Sequence, residues 1–71
     1  MYSYILIDVI PYDGTWINGV VNSLEEATVY FDNKVKRESD YFDHYVEVYD
    51  GTQKISIFKF NVKTRTLERT K

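Results

Sequence analysis

Aliphatic positions alternate with aromatic or polar ones at a period of two over most of this chain, interrupted once by a stretch with the period of a helix. Strand side chains point to opposite faces in turn, whereas a helix returns to the same face every three to four residues. Tyr2 to Ile10 reads as a strand that stops at Pro11-Tyr12-Asp13-Gly14, where proline fixes φ and glycine accepts a positive one. Thr15 to Val21 follows as a shorter strand closing a hairpin, weakened by Gly19 and broken in its alternation by Asn18. Phe42 to Tyr49 and Lys54 to Asn61 form a second hairpin around Asp50-Gly51-Thr52-Gln53. A four-residue loop there sets Val48 opposite Ile55, and a two-residue turn at Asp50-Gly51 sets Glu47 opposite Lys54. A side-chain-assisted turn at Asn61 to Thr64 then leads into a short terminal strand, Arg65 to Glu68.

Between the hairpins, Ser23-Leu24-Glu25-Glu26 has the form of a capping box, in which Ser23 and Glu26 satisfy each other's backbone N–H groups. Leu24, Ala27, Thr28, Phe31 and Val35 then recur on one stripe, with Tyr30 at its margin. The helix is expected to end near Glu38 to Asp40. The fold expected is α+β: one domain over residues 1–71, an antiparallel sheet in the order ββαββ with a possible fifth strand, and one helix packed on one face.

The strands are apolar on both faces, and this is the feature with functional consequence. Ile5, Ile7, Val9, Val46, Val48, Ile55 and Ile57 are assigned to an aliphatic face under the helix. Tyr2, Tyr4, Leu6, Tyr45, Tyr49, Phe58 and Phe60 are assigned to a second, aromatic face that one helix cannot also cover. A patch of that size is larger than a soluble monomer usually exposes, so a second copy, another protein or stacked bases are expected to meet it. The alternative is that the chain itself folds over that face.

Charge sharpens the choice. The net charge of −2 hides ten acids against three bases in residues 1–50, and one acid against six bases in residues 51–71. Asp40, Asp43 and Glu47 interleave with Tyr41, Tyr45 and Tyr49, a pattern suited to an acidic, aromatic contact surface. Carboxylates beside the aromatic residues disfavour phosphate backbones, which ranks a nucleic-acid-binding domain third. Solvated charges that neutralise one another across strands are the bland reading of the same pattern.

No reaction motif stands out. The chain has no cysteine, one histidine and three scattered glycines, so it offers neither a thiolate site nor a phosphate loop. His44 beside Asp43 reads as structural, and the spacing of Asp40, Asp43 and His44 matches neither a calcium loop nor a zinc site. The N-terminus lacks a charged leader and is too short in its apolar run to span a bilayer, which makes a cytoplasmic protein the default expectation.

The leading expectation is therefore a small non-enzymatic binding protein with no cofactor and no metal. It would act as an inhibitor or regulator by occupying a surface of another protein, with a nucleic-acid-binding enzyme as the partner class that an acidic surface suits. Its contacts would be Tyr4, Asp40, Tyr41, Asp43, Tyr45, Glu47, Tyr49, Phe58 and Phe60. Regulators, toxin antidotes and phage-encoded inhibitors of host defence share this economy, an analogy of type alone. A homodimer, through the aromatic face or by joining exposed edge strands, is the second expectation.

Overall fold

A computed structural model describes residues 2–10, 12, 14–37 and 43–70. The order is β1 (Tyr2–Ile10), β2 (Gly14–Val21), α1 (Leu24–Arg37), β3 (Asp43–Asp50), β4 (Gln53–Asn61) and β5 (Thr66–Arg69). The five strands form one sheet in the spatial order β2-β1-β3-β4-β5, antiparallel throughout, with α1 laid across one face. The α+β architecture and the fifth strand expected from the periodicity are both present. The expected helix end at residues 38–40 and Phe42 lie outside the described residues.

Local chemistry sets the boundaries. At the start of α1 the Glu26 N–H donates to Ser23 Oγ at 3.1 Å, while the Glu26 carboxylate accepts from the Asn22 N–H at 3.3 Å, one residue earlier than a capping box requires. After β4, the Asn61 carboxamide oxygen accepts from the N–H groups of Lys63 and Thr64, and Arg65 adopts a φ of 59° to close the turn. β5 therefore starts at Thr66, because Arg65 is left-handed and cannot open a strand. The Arg65 guanidinium donates to Asp32 at 3.1 Å, tying this turn to α1.

The register of the sheet corrects the expected faces. Asp50 pairs with Gln53 and Tyr49 with Lys54 around Gly51-Thr52, where Gly51 has a φ of 63°. Beyond them the pairing slips by one, so that Val48 meets Ser56, Val46 meets Phe58 and Tyr45 meets Lys59. Ile55 is the extra residue of a β-bulge, and one extra residue exchanges the faces of everything after it. β1 also joins β3 with Leu6 opposite Val46 and Ile7 opposite Tyr45. The face under α1 is thus a mixture of Tyr4, Leu6, Val46, Val48, Phe58, Phe60 and Leu67. The opposite face carries Ile5, Ile7 and Val9 from β1, Tyr45 and Tyr49 from β3, and Ile57 from β4.

Under the helix, Leu6, Ala27, Phe31, Val46, Val48 and Phe60 form the buried core, with Leu24 and Val35 packed beside it as the stripe predicts. The Phe31 ring sits 5.8 Å from that of Phe60 and 5.0 Å from His44. No helix is long and apolar enough to cross a membrane among the described residues.

Candidate functional site

Two regions hold chemistry that a minimal fold would not need. The first is buried. Asp8 lies among the apolar residues of β1 and pairs across the sheet with His44, both nearly inaccessible to solvent. Its Oδ1 is 2.6 Å from His44 Nδ1, and its Oδ2 accepts from Lys34 Nζ at 2.5 Å. Lys34 projects from α1 beyond the Phe31 turn, and its ammonium also approaches Asn18 at 3.5 Å and the Tyr30 ring at 5.9 Å. Burial, the largest single influence, raises the Asp8 carboxyl, but hydrogen bonds from Lys34, His44 and Asn18 together outweigh it and hold the group below its ordinary value. The ionised form of the carboxylate is thus the one this site favours.

This cluster fastens the open end of the sheet to the helix. Each of the two carboxylate oxygens has a donor, one from β3 and one from α1, so Asp8 links three elements at once. The sequence carried its signal in a carboxylate inside an apolar strand and a lysine close to the core-facing stripe. Asp43 points to the opposite face from His44, so the two neighbours in sequence share no site. Among the described residues no group of three His, Cys, Asp or Glu side chains could hold a metal ion; Asp40 lies outside them.

The second region is the sheet face away from α1. Its register brings together Val20, Ile5 and Glu47 in one row across β2, β1 and β3, and Ile17, Ile7 and Tyr45 in the next. Ile57 continues the first row and Lys59 the second. Ile7 is buried, whereas Ile17 and Val20 remain 71% and 63% exposed. With strands about 4.8 Å apart and about 3.3 Å per residue, five strands of this length present roughly 600 Å². That approaches the roughly 800 Å² per partner buried in an interface of standard size.

Of the expected contact residues, Asp43, Tyr45, Glu47 and Tyr49 lie on this open face. Tyr4, Phe58 and Phe60 do not: the Ile55 bulge and the β1–β3 register turn them under α1, where Phe60 is buried and the other two pack against the core. They belong to the interior and leave the expected contact surface. Asp40 and Tyr41 lie outside the described residues. Ile5, Val9, Ile17, Val20 and Ile57 take their place, residues the alternation had assigned to the covered side or left unassigned.

The carboxylates of this face are already engaged. Glu47 accepts from Lys54 Nζ at 2.9 Å and from the Tyr49 hydroxyl at 3.1 Å, and Asp43 lies 3.7 Å from Lys59 Nζ. The Glu47 carboxylate in turn raises the Lys54 ammonium above its ordinary value, first through the hydrogen bond and then through charge. Acids from the first fifty residues thus meet bases from the last twenty-one, as the neutralising reading of the charge pattern expects. Neither a phosphate mimic nor a phosphate-binding surface is favoured by charges paired in this way. What remains is an apolar field crossed by internally matched ion pairs.

Compared with known proteins, the chain matches no protein-family model, no curated protein and no solved structure.

Proposed function

We propose that this chain is a small non-enzymatic binding protein whose open sheet face occupies an apolar surface of another protein, in the manner of an inhibitor or regulator. One observation carries the reading: Ile5, Val9, Ile17, Val20, Tyr45 and Ile57 share one face of the sheet, and no element of the described chain lies over it. Covering apolar area is favourable at roughly 25 cal/mol per Å². Tyr45 and Tyr49 supply rigid apolar contact with a hydroxyl that tolerates water at the rim.

Because the lysines and carboxylates on this face already neutralise one another, the reading implies a partner recognised by shape and apolar contact. Its affinity should change little with salt. The test is affinity capture with the wild type, Ile57→Lys and Val29→Lys, the last on the outer side of α1 where it is exposed. A partner retained by wild type and Val29→Lys, and lost with Ile57→Lys while circular dichroism shows an unchanged fold, supports the reading. Capture that persists with Ile57→Lys, or that disappears as salt rises, overturns it.

A further inference from the structure

The two outer strands of the sheet are protected very differently. β5 is four residues long and carries Glu68 and Arg69, the kind of short, charged edge that resists pairing with another chain. β2 is eight residues long, Gly14–Val21, and contains no charged side chain. Trp16 and Ile17, at its middle, are 58% and 71% exposed.

These two residues point to opposite sides. Trp16 pairs with Asp8 and shares the helix side of the sheet, while Ile17 pairs with Ile7 and shares the open side. A partner lying flat on the open face covers Ile17 and leaves Trp16 in water. A strand running alongside β2 meets both, because its own side chains stand on both sides of the sheet.

We propose that β2 pairs antiparallel with β2 of a second copy of this chain, about a two-fold axis normal to the sheet. The product is a continuous ten-stranded sheet with both helices on the same side. The charge pattern selects the second copy as occupant: an uncharged strand can lie against itself without setting like charges opposite each other. A two-fold contact is also self-complementary and closed, so Trp16 of each chain packs on the helix-side residues of the other's β2 and Ile17 on its open-side residues. The head-to-tail alternative, β2 against β5, would grow an open filament, and the short charged β5 opposes it.

The slip between Leu6↔Gly19 and Ile7↔Ile17 leaves Asn18 as an extra residue, and such a bulge bends its strand. The regular stretch from Gly14 to Ile17 is therefore the centre of the pairing, with Val20 at its rim. This arrangement shares Ile17 and Val20 with the proposed open-face contact but leaves Tyr45 and Ile57 uncovered, so a change at Ile57 tells the two apart.

Sedimentation velocity over a wide concentration range decides the matter. The wild type should reach twice the single-chain mass of 8.5 kDa. Trp16→Lys and Ile17→Lys should each weaken self-association by about tenfold or more, a change of about 1.4 kcal/mol. Ile57→Lys should leave it intact. A wild type that stays monomeric throughout, or a dimer broken by Ile57→Lys and not by the two β2 changes, overturns the proposal. The chain has no cysteine, which allows a second measurement that does not require the lysine variants to fold. Under mild oxidation Thr15→Cys or Trp16→Cys should give a disulfide-linked dimer and Ile57→Cys should not; the reverse pattern rejects pairing along β2.

Discussion

The two faces of this sheet are built from the same kinds of residue and end in different circumstances. On the helix side, Leu6, Val46, Val48 and Phe60 are enclosed by Ala27 and Phe31. On the other, Ile17 and Val20 stand in solvent although they are as apolar as anything in the core. The difference lies in what passes overhead, and it separates residues that hold the fold together from residues available for recognition. The polar groups divide in the same way. Asp8, His44 and Lys34 are linked through buried contacts beneath the helix side, whereas Glu47, Lys54, Asp43 and Lys59 form weaker, exposed pairs on the open side.

Substitutions should therefore affect stability on one side and association on the other. The largest loss is expected from Phe31→Ala, which empties the centre of the core and should cost about 3–5 kcal/mol in denaturant unfolding. Asp8→Asn should follow at about 3 kcal/mol, since it removes the buried charge that Lys34 and His44 both contact. The pH dependence has a definite sign. The folded-state pKa of Asp8 is depressed, so its contribution is fully present above the ordinary aspartate value and is lost as pH falls through the lower folded value. Acid unfolding of Asp8→Asn should accordingly show a shallower loss of stability below about pH 4 than the wild type. Ser23→Ala removes the oxygen that accepts the Glu26 N–H, and thermal melting should report a loss of about 1 kcal/mol. Smallest of all, Ile17→Ser measured at high dilution should change unfolding by less than about 0.5 kcal/mol. A large effect there would mean that the open side contributes to the fold as much as the covered one.

Periodicity and turn chemistry made the strands and the helix legible. Leu24, Ala27, Phe31 and Val35 pack as their spacing requires, and Asn18 with Gly19 does interrupt the second strand. The faces were not legible, for two physical reasons. A bulge adds one residue without altering the hydrophobic pattern, so nothing in Lys54-Ile55-Ser56-Ile57 shows that Ile55 lacks an opposite number. The register between β1 and β3 joins segments that no short turn connects, and either parity would have set apolar side chains against apolar ones. Phe58 and Phe60 consequently moved from the candidate surface to the interior, whereas Tyr45 and Glu47 stayed outside. The Asp8–His44–Lys34 cluster was not legible, because nothing in the spacing of a strand aspartate, a strand histidine and a helix lysine shows that the β1–β3 register and the helix bring them together.

The sheet order has a consequence for how the chain is made. β1 ends up between β2, which follows it at once in sequence, and β3, which comes only after the whole of α1. Until then a nascent polypeptide holds an isoleucine-rich ribbon with one flank unoccupied, a template for mispairing with other emerging chains. α1 lies between β2 and β3 in sequence, and its apolar stripe is the element that shelters the hairpin's covered side once the fold has formed.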